Sequence, residues 1–200
     1  MSRGKIIILN GASSTGKTTL AKALQNVLAP TYVRLSIDDF VKMLPEKKMI
    51  RERQKMAWQA EMMLLRTIKM LSESGVNVIV DNVITNEMPV FEQYLSLLHD
   101  DPVLLVRVDC PLPELRRREL ARGDRRPGIS EAQLSALVPE DGYDVVVNTF
   151  EHTATACADA IAQRLALADG ISAIKQMWQR AALSGTAEGS ERILCQEEEY

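Results

Sequence analysis

The run Gly11-Ala12-Ser13-Ser14-Thr15-Gly16-Lys17-Thr18 has the spacing G-x-x-x-x-G-K-[ST], a pattern suited to holding a polyphosphate. Glycines let such a loop fold tightly, so that backbone N–H groups converge on one concavity, and a helix opening at its end adds a positive dipole. Lys17 supplies a point charge to the outer phosphates. The Thr18 hydroxyl is an oxygen ligand for Mg²⁺, and Thr19 extends the cradle into the helix. ATP as co-substrate, with Mg²⁺, is the expected occupant.

Four further acids follow apolar runs. Asp38 and Asp39 follow Ser36-Ile37, Asp81 follows Val76–Val80, and Asp109 follows Val103–Val108. A carboxylate at a strand tip beside a phosphate loop can take the proton of an attacking hydroxyl. Asp38 is the candidate, with Asp39 left open as the alternative. Asp38 could instead cap a helix beginning at Asp39 or Phe40. Asp81, at the end of an apolar strand, is the candidate to share Mg²⁺ with Thr18. Arg116, Arg117, Arg118, Arg122, Arg125 and Arg126 form a basic strip. Arg118 and Arg122 lie four residues apart and share a helix face. Arg122 and Arg125 flank Gly123-Asp124 at the helix end, where a hinged segment could close guanidinium groups over a transferring phosphoryl. Arg117 and Arg126 read as a solvated face paired with Glu114, Glu119 and Asp124. Six methionines between Met43 and Met70 read mainly as helix packing, with an adaptable acceptor pocket as the alternative use.

Positioning these groups requires strands that end on one edge. Lys5–Asn10, Thr31–Ile37, Val76–Val80, Val103–Val108 and Asp144–Asn148 read as strands, most of them continuous apolar runs. Helices are expected over Leu20–Leu28, Phe40–Leu44, about Lys47–Ser74, Asn86–Leu98, Glu114–Ala121 and Thr153–Ala168. A short helix is expected after Ser130, whose spacing to Gln133 fits a capping box. Strands alternating with helices predict an α/β fold, a five-stranded parallel sheet covered on both faces. Residues 1–170 form that domain, with an arginine lid near 114–128. Residues 171–200 carry one more helix, with Ile174, Met177 and Trp178, and a polar tail.

The chain has 200 residues, 46% hydrophobic and 26% charged, with net charge −3. That balance argues against gripping nucleic acid by bulk charge, and no aromatic residues interleave with the arginines to stack bases. No apolar run reaches the roughly 18 residues a membrane helix needs, and none has the form of a signal peptide. Cys110, Cys157 and Cys195 match neither a disulfide framework nor a zinc site. His99 and His152 stand apart and read as surface or structural. A cytoplasmic protein is expected, with no nucleic-acid or membrane partner, and a homo-oligomer is compatible with the sequence.

Ile7–Lys17, Ile37-Asp38, Ala121-Arg122-Gly123-Asp124-Arg125 and Tyr143-Asp144-Val145 together resemble the chloramphenicol phosphotransferase family, over roughly residues 5–168. The resemblance implies a P-loop kinase of the nucleoside-monophosphate-kinase type with sheet order 2-3-1-4-5. It implies transfer of the ATP γ-phosphoryl to a hydroxyl of a small alcohol such as chloramphenicol. It places Asp38 on the family's general base, and Arg122 and Arg125 on its lid arginines, beside Lys17. The expected activity is therefore a small-molecule kinase, which for chloramphenicol would be antibiotic-inactivating. The alternatives are a kinase of a nucleoside, sugar or cofactor precursor, and a nucleotide-binding regulator that transfers nothing.

Overall fold

The computed structural model describes residues 2–85, 90–123, 127–138, 142–167 and 172–183. Five strands, β1 (Ile6–Asn10), β2 (Tyr32–Ser36), β3 (Asn77–Asn82), β4 (Val103–Asp109) and β5 (Val145–Asn148), form one sheet in the order β2-β3-β1-β4-β5. Every pairing is parallel. All five residues of β1 are buried, as a central strand covered on both sides requires.

Alternation along the strands divides the interior in two. Ile6, Ile8, Val78, Val80 and Leu105 point to one face, where they pack with α4 (Arg53–Glu73), α5 (Val90–Leu98) and α9 (Ala173–Leu183). Ile7, Leu9, Ile79, Leu104 and Val106 point to the other, against α1 (Lys17–Val27) and α8 (Ala154–Ala166). Each fully buried aliphatic side chain contributes about 1.5–3 kcal/mol to burial.

α9 belongs to this interior. Ile174 is fully buried in the same core as β1 and β3, and Trp178 stacks on His99, just past the end of α5, with ring centroids 4.7 Å apart. Asp144 ties the helix down, its carboxylate accepting the backbone N–H of Leu105 at 2.7 Å and of Ala173 at 2.8 Å. Asp144 thus precedes β5 and anchors two other elements. No helix among the described residues is long and apolar enough to cross a membrane.

Local details depart from the sequence expectations in four places. The second strand stops at Ser36, and Ile37 opens the helix α2 (Ile37–Lys42), so Asp38 lies in its first turn and is not its N-cap. The helix expected from Lys47 to Ser74 is two, α3 (Glu46–Arg51) and α4, bent at Glu52 where ψ is 44°. The bend has a packing cause: α3 buries no residue, whereas α4 is drawn into the core from Met56 onward. Helix α6 (Leu112–Arg122) is followed by α7 (Ile129–Ala136), whose N-cap is Gly128. Ser130 and Gln133 form no capping box, because Ser130 donates to Glu119 at 2.9 Å and Gln133 accepts from the phosphate loop. Among the described residues Glu119 pairs with no arginine; it accepts the N–H groups of Gly128 and Ser130, which hold its carboxyl below the usual range. The proposed cap Asn86 and the tail from Ser184 lie outside the described residues.

Candidate active site

The sheet register assembles the site. Asn10 at the end of β1 pairs with Asn82, Leu9 with Asp81, and Ser36 with Asp81 across β2. The carboxyl ends of β1, β2 and β3 therefore meet where the chain crosses the sheet, the position at which open parallel sheets bind ligands. A cleft of about 620 Å³ opens there. Ser13, Ser14, Gly16, Lys17, Thr18 and Thr19 form its floor, and Asp38, Asp81 and Arg122 border it.

The loop is shaped by its glycines. A side chain at Gly11 would collide with the Val108 carbonyl, and Gly16 has φ 90°, a left-handed conformation that disfavours side chains. Gly11, Ala12 and Thr15 shape the cradle without bordering the cleft. Lys17 is folded back, its ammonium donating to the carbonyls of Gly11 at 2.7 Å and Ala12 at 2.9 Å. Among the described residues the hydroxyls of Ser13 and Ser14 are buried without a hydrogen-bond partner. Buried orphan hydroxyls in a polyphosphate cradle are groups awaiting an acceptor.

Thr18 donates its hydroxyl to Asp81 at 2.6 Å. Two hard oxygen donors held side by side, next to a phosphate cradle, fit a magnesium ion that keeps waters and takes its other ligands from phosphates. Asp38 and Asp39 separate clearly. Asp38 borders the cleft. Asp39 is ion-paired to Arg34 and Lys42, both at 3.6 Å, and does not border it. Asp109 is held by Arg107 at 2.8 Å, away from the cleft.

The lid arginines also divide. Arg122 borders the cleft, while Arg125 lies outside the described residues. Arg117 borders it too, while paired bidentately with Glu114 at 2.7 Å; Arg117 and Arg118 together push the Glu114 carboxyl down to about 2. Arg118 is a residue the sequence reading underweighted. Its Nε is fixed by Glu114 at 2.7 Å, and its guanidinium reaches the Ser14 carbonyl at 3.4 Å and the Thr149 carbonyl at 3.3 Å. The signal was its place four residues before Arg122 on one helix face. Gln133 was also missed, accepting the Ser13 N–H at 2.8 Å. His152, read as surface, borders the cleft with Thr153, at the entry to α8.

The wall beyond Asp81 is built by asparagines. Asn10 accepts the N–H of Ile84 at 2.7 Å and donates to its carbonyl and to the Tyr143 hydroxyl. Burial pushes that phenol up to about 12. Asn82 donates to Glu61 at 3.0 Å and to Tyr94 at 2.9 Å. Burial pushes the Glu61 carboxyl up to about 7, against the opposing pull of the hydrogen bonds it accepts from Asn82 and from the Tyr94 hydroxyl.

Comparison with known proteins agrees with this geometry. A family model described as chloramphenicol phosphotransferase-like protein matches residues 4–166. A Mycobacterium tuberculosis protein named "Putative O-phosphotransferase" is 32% identical over 174 residues, covering 74% of this chain and 76% of its own. A Chloroflexus aurantiacus protein described as a "putative kinase" superposes with a TM-score of 0.63 at 24% identity, over 82% of this chain and 97% of that one. The Mycobacterium tuberculosis APS kinase, solved with AMPPNP and APS, superposes with a TM-score of 0.60 at 16% identity, over 82% and 99%. At such identities the structural likenesses speak to the fold. With its phosphate cradle, five-stranded order and matched family model, the chain belongs to the chloramphenicol phosphotransferase-like family, phosphotransferases on the P-loop kinase fold.

Proposed function

We propose that the protein transfers the γ-phosphoryl group of ATP to a hydroxyl of a small molecule. The observation that carries this reading is the placement of Asp38 and Lys17 in one cleft, with Asp39 held outside it by Arg34 and Lys42. A nucleotide-binding regulator has no use for a carboxylate at that place.

In this scheme residues 11–19 cradle the phosphates, and Lys17 leaves the Gly11 and Ala12 carbonyls to meet the outer ones. Arg118, His152 and Thr153 line the base end of the nucleotide. The acceptor enters from the α2 side. Its oxygen attacks the γ-phosphorus as the bond to the ADP oxygen breaks, and its proton passes to Asp38. Lys17, Arg122 and Arg125 neutralise charge on the transferring group. Thr18 and Asp81 would hold magnesium, which when bound shields the phosphate charges. Closure of the segment around α6 and α7 would exclude water that otherwise hydrolyses ATP.

Chloramphenicol, the acceptor that the family description names, is one candidate, and its phosphorylation would make the protein a resistance enzyme. An ATP-consuming enzyme with the buried free thiols Cys110 and Cys157 suits the cytoplasm. The test is ATP turnover across a panel of alcohols that includes chloramphenicol, with product detected by mass. Stimulation by an acceptor, lost in Asp38→Asn, is the expected result. Turnover that no alcohol raises would remove the kinase reading.

A further inference from the structure

The surface after Asp38 is basic out of proportion to the rest of the chain. Between residues 42 and 55 stand Lys42, Lys47, Lys48, Arg51, Arg53 and Lys55 against Glu46 and Glu52, a surplus of four positive charges in a protein of net charge −3. All six cations are exposed. Lys42 pairs with Asp39; the other five have no ion-pair partner among the described residues. The lid arginines contrast with them, since Arg116, Arg117 and Arg118 each hold a carboxylate at 2.7 Å.

This arrangement works against local stability. Lys47 and Arg51 are four residues apart on α3, and Lys48 and Arg51 three. Like charges at those spacings cost about 0.2–0.5 kcal/mol each. α3 buries nothing that offsets the repulsion. Ile50, on the same helix, is 78% exposed, and Met43, just before it, 66%, so the segment lacks the apolar anchoring of an ordinary core helix. Its position is defined by its tether. Four helical residues and a three-residue connection link Asp38 to Glu46, which places the start of α3 within about 20 Å of the candidate base. A small acceptor molecule plus the reach of a lysine or arginine side chain spans much of that interval.

We infer that the acceptor is an anionic alcohol, one carrying a phosphate, sulfate or carboxylate besides the hydroxyl that is phosphorylated, and that Lys47, Lys48 and Arg51 recognise its charge. The inference rests on the kinase reading and narrows its substrate class. An uncompensated basic surface tethered within about 20 Å of the candidate base raises the local concentration of anions and speeds their capture. A neutral acceptor would gain nothing from it, and a solubilising role would be served as well by the acidic residues that prevail elsewhere in the chain.

Matched pairs of acceptors test this: glycerol against glycerol 3-phosphate, and glucose against glucose 6-phosphate, with chloramphenicol as the neutral reference. The anionic members are expected to show at least tenfold higher kcat/KM. The Lys47→Glu/Lys48→Glu/Arg51→Glu variant should raise their KM about tenfold and leave the KM for ATP unchanged. Equal or better use of the neutral members, or an unaltered KM in the variant, overturns the inference while the kinase reading stands. Preference for a 5′-hydroxyl oligonucleotide over every small anion also overturns it, in favour of a polymer. If no alcohol takes phosphate, the kinase reading fails, and binding decides the charge question separately. In Trp178→Phe protein, Trp58 on α4 is the remaining tryptophan. With AMPPNP and Mg²⁺ saturating the cradle, glycerol 3-phosphate should change its fluorescence saturably, and the triple charge reversal should abolish the change. A flat titration overturns the inference.

Discussion

Replacing Lys17 with alanine should reduce phosphoryl transfer by about 10²–10³-fold, with the thermal midpoint moved by no more than a few degrees. The ammonium donates to the Gly11 and Ala12 carbonyls of its own loop, so its charge should serve the ligand more than the core. Parallel assays of turnover and melting check both halves of that expectation. Asp38→Asn should slow transfer about 10²–10⁴-fold, as loss of a general base does, and leave ATP affinity near the parent value. Asp39→Asn should act as its control. It loosens a surface pair with Arg34 and Lys42 worth about 0.2–1 kcal/mol, and kcat should stay within a few-fold of the parent. A slow Asp39→Asn beside a normal Asp38→Asn would reverse the two roles. The pair could not be resolved from sequence, because neighbouring residues of one type differ only in which way the backbone turns them. The early start of α2 at Ile37 made that choice.

At the scale of the element, α6 carries two arginines with different prospects. Arg118 already reaches the Ser14 carbonyl of the phosphate loop while held by Glu114 and Thr149, so it should bind ground state and transition state alike. Arg118→Ala should raise the KM for ATP with little change in kcat. Arg122 belongs to the helix end beside Gly123, and Arg122→Ala should lower kcat more than it weakens ATP binding. Steady-state constants for both variants distinguish these patterns. Helix α4 supplies a second case. Glu61 has a folded pKa of about 7, above its ordinary value of 4.5, so the folded protein holds a proton there that the unfolded chain releases. Stability should therefore fall as pH rises from about 4.5 to 7, by up to about 3 kcal/mol. Glu61→Gln should flatten that slope in denaturant titrations across the same range. Much at this scale was legible beforehand. The continuous apolar runs announced β1, β3 and β4, and the loop motif pointed to Ser13, Ser14, Gly16, Lys17, Thr18 and Thr19, which border the cleft. The bend at Glu52 was not legible, since no glycine or proline marks it and its cause is the contrast between a buried α4 and an unburied α3. The Glu61–Asn82–Tyr94 network was not legible either, because its members lie on three elements with no shared spacing.

At the scale of the whole molecule, the hydrophobic core extends beyond the stretch matched by the family model. Ile174 is fully buried yet lies outside residues 4–166. Ile174→Ala should lower stability by about 2–5 kcal/mol, measured by chemical denaturation, with the KM for ATP little altered under conditions where the variant is folded. The sequence placed a helix there but could not say that it completes the core, since an amphipathic stretch does not name its partner. That attachment has a consequence for synthesis. The core on that side of the sheet receives Ile174, beside α5 and β4, only after α9 has been made, and the carboxylate of Asp144 waits for the same helix to find its second N–H. Domains tend to fold from the N-terminus as the chain emerges, but this one leaves the part of the sheet around β4, beside α5, uncovered until its last described helix leaves the ribosome. Ribosome-bound chains stalled before residue 173 should thus engage chaperones that chains stalled well beyond residue 183 no longer need.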